Sequence, residues 1–185
     1  GGFDPVAFDK LCLDNIRESA KKFGYFGVFT KGVRSQKNFM NFFKYTENIE
    51  FHWYVNDDSK NEIASHNKEL NSIFHSIVER EEALKLMAGS FHCLVSIGNL
   101  NTTQIPSKVI EYISTGKPFI HFCEVENDPV KSIANHFQNL FIISETSNKE
   151  NLLNQLNSFY KDISTFNKEL FIEKYTSNSI TEILN

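Results

Sequence analysis

His92-Cys93-Leu94-Val95-Ser96-Ile97, a polar loop from Gly98 to Gln104, Pro106 to Thr115, and then Phe119-Ile120-His121-Phe122 form the stretch that decides the fold. The first segment is a short, almost continuous apolar run, as expected of a strand covered on both faces. The third carries Val109, Ile110 and Ile113 towards a core behind a proline, which suits the first turn of a helix because its missing N–H has no intrahelical partner there. The fourth is again a short apolar strand. Strand, helix and strand at this spacing read as a parallel crossover unit.

The same alternation continues outward. Upstream lie strands at Tyr25–Phe29 and Phe51–Val55 and a weaker one at Ile73–His75; downstream lies Leu140–Ile143. Between them the pattern predicts a helix from Ser35 to Tyr45 with Phe39, Phe42 and Phe43 on one face. It also predicts a polar surface helix over 60–70 and a helix from Glu79 to Met87 with Ala83, Leu84 and Met87 inward. Residues 5–22 carry Val6, Phe8, Leu11, Leu13 and Ile16 between charges, an amphipathic helix; from Asn151 the pattern is helical again. Right-handed crossovers then give an α/β fold, a doubly wound parallel sheet of about six strands with helices on both faces. Residues 1–185 form a single domain closed by the helices of about 150–185. The chain enters its first helix directly after Gly1-Gly2, so it reads as one piece of a longer protein.

Composition narrows the function classes. Nineteen basic against 23 acidic residues give a net charge of -4 with no basic cluster. Nucleic-acid binding needs a basic face to release counterions from phosphates, so it is not expected. The 18 Phe residues are scattered through apolar runs and suit an aromatic-filled core rather than a base-stacking platform. No run is long enough to span a bilayer. Cys12, Cys93 and Cys123 lack metal-ligand spacing; the latter two sit in apolar runs, as buried thiols do. With no secretory signal visible, a reducing cytoplasm is expected.

In such sheets ligands lie beyond the carboxyl ends of the strands, here the turns after Phe29, Val55, Ile97 and Phe122. The helix start near Pro106 offers free N–H groups and a helix dipole, a ready anion site suited to a diphosphate. Ser107 and Glu111 are four apart and share a helix face, which Ser114 extends. A carboxylate there can accept both hydroxyls of a ribose diol. Gly116, in Thr115-Gly116-Lys117-Pro118, can take the left-handed cap conformation. By composition alone, Glu111 and Lys108 are equally readable as solvated helix residues.

The run Gln104-Ile105-Pro106-Ser107-Lys108-Val109-Ile110-Glu111-Tyr112, followed by Thr115-Gly116-Lys117-Pro118, closely resembles bacterial GT-B glycosyltransferases. It looks like the family 4-type enzymes that build capsular and lipopolysaccharide glycans, whose C-terminal domains carry a Pro-Ser-Lys-x-x-Glu-Tyr-x-x-x-Gly-Lys-Pro block between the fourth and fifth strands. Gly2-Phe3-Asp4-Pro5 resembles the segment where such chains leave their N-terminal domain, Tyr25 to Arg34 the first strand with its Gly-rich turn, and the final helices the closing segment.

The resemblance implies a Rossmann-like domain, the C-terminal, donor-binding half of a two-domain enzyme. Such an enzyme transfers a sugar from a nucleoside-diphosphate-sugar, of the UDP or GDP type, without a metal or other cofactor. It implies that Glu111 binds the donor ribose, and that Gln104, Ser107 and Lys108 with Lys31 and Arg34 hold the diphosphate. Asn99 and Thr103 would meet the donor sugar, and residues around Val78 the nucleobase. A glycan or lipid-linked acceptor would bind the absent N-terminal domain. Catalytic groups are not certain in this half, which is expected to be inactive alone. The full enzyme would work in the cytoplasm, including peripherally at the inner membrane face. Two positions depart from the pattern: Thr103 replaces a glutamate that contacts the donor sugar in many retaining members, and Val28 replaces a common arginine.

Other residues invite other readings. The six His residues show no pairing at three or four residues and no ordered acidic partner, so no zinc site is expected; His121, in the fifth strand, reads as a core or surface histidine that could touch a donor. Asp57-Asp58 reads as a turn. Gly24-x-x-Gly27 lacks the third glycine of a dinucleotide fingerprint. Two rivals remain: a UDP-sugar 2-epimerase of the same architecture, and a non-catalytic flavodoxin-like or receiver module. Against a receiver, Val28-Phe29-Thr30 supplies no acidic cluster at the end of the first strand.

Overall fold

The computed structural model describes residues 20–43, 48–66, 70–101, 103–145, 148, 150–155 and 158–159. Cys12, the segment 5–19 of the expected first helix and most of the closing segment 150–185 lie outside them.

Six strands form one sheet in the order β3-β2-β1-β4-β5-β6, every neighbouring pair parallel. They are β1 Lys21–Phe26, β2 Ile49–Tyr54, β3 Ser72–His75, β4 Cys93–Ile97, β5 Phe119–Phe122 and β6 Leu140–Ile143. The helices between them are α1 Lys37–Phe43, α2 Asp57–His66, α3 Arg80–Gly89 and α4 Ser107–Thr115, with 3-10 turns at Pro129–Ser132 and Ala134–His136 before β6. This is the Rossmann-like α/β fold, with the expected number of strands. The sheet reverses direction of growth between β1 and β4, the topological switch point at which ligands of open α/β sheets bind.

Strand periodicity sorts the core into two layers. Phe23 and Tyr25 of β1, Phe51 and Trp53 of β2, Val95 and Ile97 of β4 and Phe122 of β5 face α1 and α2, where Phe39, Phe42, Phe43 and Ile63 cover them; Leu152 and Phe159 join this layer. Phe26, Leu94 and Phe119 face the other way, under Ala83 and Met87 of α3 and Val109, Tyr112 and Ile113 of α4. The phenylalanines among the described residues are mostly core filler, as their scatter implies. Phe39, fully buried, sets its ring within 5.4 Å of Phe43, Phe51, Trp53 and Phe122.

Several local expectations shift. Lys21 and Lys22 belong to β1 rather than to a helix over 5–22, because the ladder uses their backbone: Lys21 N–H donates to Asn48 O at 3.0 Å and His92 N–H to Lys22 O at 2.9 Å. β1 ends at Phe26, and the apolar run continues to Phe29 because Phe29 is buried in the loop, its N–H donating to Ser59 Oγ of α2 at 2.8 Å. Asp57-Asp58 do not form a turn after β2. They open α2, where negative charge complements the helix dipole, and Asn56 Oδ1 caps it by accepting from Ser59 N–H at 2.9 Å. The surface helix is therefore Asp57–His66 rather than 60–70. On α4 the buried face is Val109, Tyr112 and Ile113, while Ile110 is 42% exposed. Positions i, i+3 and i+4 share a face, and 110 falls off it. Gly116 caps α4 with φ 65, the left-handed conformation its position requires.

Candidate functional site

At the switch point the loop after β1 and the loop after β4 flank a crevice of about 450 Å³, within the roughly 300–1,000 Å³ usual for small-molecule sites. The two loops are joined where Leu100 N–H donates to Val33 O at 2.7 Å. The β1 side is fixed from below: Phe26 N–H donates to Tyr112 Oη of α4 at 3.0 Å, inside the core. Burial, set only partly against that hydrogen bond, pushes the Tyr112 phenol well above its usual range, so it stays a neutral structural group.

Of the residues singled out in the sequence, Arg34, Asn99, Gln104, Ser107 and Lys108 line this crevice together. Pro106 sits at the N-cap of α4 and Ser107 is its first residue, so the free amides of the first turn open on the same wall. Arg34 is held across the mouth: its Nη1 donates to Val28 O and, at 3.5 Å, to Tyr25 Oη. Its Nε is buried without a protein partner. A guanidinium N–H and helix-start amides converging on one cavity make an anion-binding wall.

The others stand around it. Glu111 lies one turn into α4, off the crevice wall, between Lys108, with which it forms an ion pair, and Arg80 Nε at 3.6 Å. Its side chain is only 17% exposed. Arg80 begins α3, so this contact brings the segment after β3, which contains Val78, beside α4. Val78 is half-buried against the second core layer. Lys31 and Thr103 are exposed in their loops, away from the cavity wall.

Beneath the crevice lies a chain of buried polar groups that the sequence reading did not assemble. Ser96, on the crevice floor, is 2.9 Å from His121 Nδ1, and His121 Nε2 is 3.0 Å from Asp128 Oδ2. Asp128 Oδ1 accepts from Val130 N–H at 2.9 Å, capping the 3-10 turn. Burial alone would raise the Asp128 pKa, but the hydrogen bond from His121, the Val130 amide and Lys131 outweigh it and hold the carboxyl below its usual range. Thus His121 is a core histidine with an acidic partner, and His52 likewise has Glu50 at 2.6 Å. Both correct the expectation that no histidine has an ordered acidic partner. The partners are brought in by fold, across seven and two residues, where helical spacing does not look. His52 also meets His75 of the next strand, Nδ1 to Nε2 at 2.8 Å.

Cys93 and Cys123 are buried free thiols, as expected, and burial raises both above the ordinary thiol range. Cys123 Sγ lies with ligand-type atoms of His121 and Asp128 within 4.8 Å of one another. In the fold as it stands, both ring nitrogens of His121 and both oxygens of Asp128 serve the hydrogen-bond chain. Among the described residues no helix is long and apolar enough to cross a membrane.

No family model matches the chain, and no curated protein does. Solved structures do. The catalytic domain of starch synthase IV from Arabidopsis thaliana, bound to ADP and acarbose, matches at a TM-score of 0.52 and 10% identity, over 97% of this chain and 37% of that one. UDP-GlcNAc 2-epimerase from Neisseria meningitidis, bound to UDP-GlcNAc, matches at 0.51 and 15%, over 97% and 47%. AviGT4, a glycosyltransferase involved in avilamycin A biosynthesis, matches at 0.50 and 12%, over 98% and 56%. The chain spans between about a third and just over half of each of these proteins. At these identities the likeness is one of fold: the Rossmann-like α/β fold of GT-B-type glycosyltransferases and of a UDP-sugar epimerase.

Proposed function

We propose that this chain is the donor-binding half of a glycosyltransferase, of the family 4-like type that builds bacterial surface glycans, and holds a nucleoside-diphosphate-sugar of the UDP or GDP type. The observation that carries the reading is the crevice at the β1/β4 switch point, where Arg34, Lys108 and the opening amides of α4 converge. That wall suits a diphosphate, and Glu111, one turn further along α4 beside the segment containing Val78, suits the ribose on the way to the base. Asn99 and Thr103 sit on the loop where a donor sugar would project, and Lys31, exposed in the loop after β1, would add charge to that side.

When the bond from the sugar's anomeric carbon to the diphosphate breaks, negative charge builds on the leaving oxygens. Fixed donors aimed there lower the barrier. Arg34, Lys108 and the α4 amides would supply that stabilisation; Glu111 would position the nucleotide and exchange no proton. The acceptor, a glycan or a lipid-linked acceptor, and any general base would belong to a second domain, so this chain alone binds donor and transfers little. A 2-epimerase uses the same kind of half, and product analysis of the complete protein separates the two.

The test is a thermal-shift or calorimetric panel of UDP, GDP, ADP and CMP on this chain and on Glu111→Ala. Bound ligand stabilises by RT ln(1 + [L]/Kd). UDP or GDP is expected to raise the Tm of the parent, and Glu111→Ala to lose most of the shift. Equal shifts in the two proteins remove Glu111 from the site; no shift with any nucleotide removes the donor-binding reading.

A further inference from the structure

The buried chain under the crevice has a direction. Asp128 is ionised and can only accept, so His121 must present Nε2–H to Oδ2. With Nδ1 bare, the hydrogen bond to Ser96 at 2.9 Å has the Ser96 hydroxyl as its donor, directed inward. In that tautomer the hydroxyl proton is committed to the core, and Ser96 Oγ turns only lone pairs to the cavity it lines. A second observation points the same way: Asn99 Oδ1, in the same cavity wall, is a buried acceptor without a protein partner. Buried acceptors are normally satisfied. The surroundings defend this arrangement. A Cβ on Gly98 would lie 2.3 Å from Asp128 Oδ2 and 3.3 Å from His121 Nε2, so the chain keeps a glycine where the pair needs the space.

We infer that His121 presents Nε2–H to Asp128 and a bare Nδ1 to Ser96, and that Ser96, so oriented, forms with Asn99 an acceptor-only subsite on the crevice floor that takes a hydroxyl of the ligand's sugar and rejects a phosphate oxygen. This rests on the donor-binding reading and deepens it. The cavity is divided by polarity: donors on the Arg34 and α4 side for the diphosphate, acceptors on the floor for the sugar. His121 and Asp128 are positioning residues, acting through the direction of one hydrogen bond.

Asp128→Asn is the decisive variant, because it keeps the shape and reverses the chain. An asparagine can still accept from Val130 N–H while offering its amide N–H to His121 Nε2. The ring proton must then move to Nδ1, as a carboxylate-to-amide change does in a hydrolase triad. Ser96 becomes an acceptor from His121 and a donor to the cavity. The measurement is calorimetric binding of UDP, GDP and the glucose, galactose and N-acetylglucosamine conjugates of UDP to the parent, Ser96→Ala and Asp128→Asn. The readout is the ratio of nucleotide to conjugate Kd. A lost hydrogen bond to a neutral group corresponds to roughly three- to tenfold. The ratio is expected to fall by about that factor in both variants, while the Kd for UDP stays within about twofold. Nitrogen NMR of the unliganded parent is expected to show His121 protonated at Nε2 and bare at Nδ1, with the proton moved to Nδ1 in Asp128→Asn. A protonated Nδ1 in the parent overturns the inference whatever binds, as does a conjugate ratio that ignores both substitutions. Loss of UDP affinity equal to the loss for the conjugates assigns these residues to the phosphates or to folding and overturns it too. Parent protein that binds no nucleotide fails the donor-binding reading itself, and the subsite falls with it.

Discussion

Gly98 shows how much of this site is decided by single atoms. Its neighbours leave no room: besides the Asp128 and His121 contacts, an added Cβ would stand 3.1 Å from Phe122 O. The carboxylate cannot retreat without losing both the Val130 cap and the His121 hydrogen bond. Gly98→Ala is therefore expected to destabilise the fold by about 1–3 kcal/mol, the usual range for forcing an atom into a packed interior. Gly89, the last residue of α3, has open space within 4 Å of the same added atom. Gly89→Ala should leave stability unchanged or raise it slightly, by up to about 1 kcal/mol, since alanine loses less backbone freedom in a helix. Urea denaturation of the pair checks both. Comparable midpoints for the two variants would mean that the network beneath Gly98 yields easily, contrary to the packing. None of this is readable from the chain alone, where Gly98 is one more loop glycine.

The elements were legible to the degree that one layer of contacts formed them. Strand β4, fully buried from Cys93 to Ile97, declares itself by an apolar run broken only by Ser96. β1 does not, because two lysines open it and only their pairing with Ile49 and Glu50 makes them strand. Ile110 sits in an apolar pattern yet faces solvent, because helical rotation, not hydrophobicity, chooses the face. Helix α1 is the opposite case, seven residues long and held almost wholly by rings. Asn38 adds one polar anchor, its Nδ2 donating at 3.0 Å to both Cys123 O and Ser144 O beyond β5 and β6. So short a helix has little stability of its own. Phe39→Ala should cost about 3–5 kcal/mol, the range for emptying a buried aromatic position. Because α1 follows the loop that carries Arg34, the same variant should weaken nucleotide binding at a site it does not touch. Denaturation gives the first quantity and calorimetry the second; unchanged binding after a large loss of stability would show that the β1 loop holds its shape independently of α1.

At the scale of the molecule, the doubly wound order and its switch point follow from the alternation of runs, and the phosphate side of the crevice from the α4 block. The polar floor does not, since Ser96, His121 and Asp128 come from three separate segments and meet only through the β4–β5 ladder that aligns Ser96 with His121. Titrating groups likewise act across the whole fold. Burial first, and then the charge of His52, lowers the His75 pKa; burial first, and then the charges of Lys21, Lys117 and Lys22, lowers that of His92. The folded chain binds these protons less readily than the unfolded chain, so their contribution is present above about pH 6.5 and lost as pH falls below it. Glu124 has the opposite sign. Burial and the Asp128 charge push it up to about 8 against the Ser35 hydrogen bond and Lys37, and its Oε1 is buried without a partner. Its contribution is full below the unfolded value near 4.5 and is lost as pH rises towards 8. Up to about pH 6.5 the gain from two histidines exceeds the loss from one carboxyl, and above it only the loss continues, which gives a maximum close to that pH. Thermal unfolding from pH 5 to 9 should trace that maximum in the parent. Glu124→Gln should flatten the alkaline limb and steepen the acid limb above about pH 4.5, whereas His75→Gln should flatten part of the acid limb alone. An alkaline limb that persists undiminished in Glu124→Gln would assign the loss to another group and leave Glu124 ionised in the folded chain.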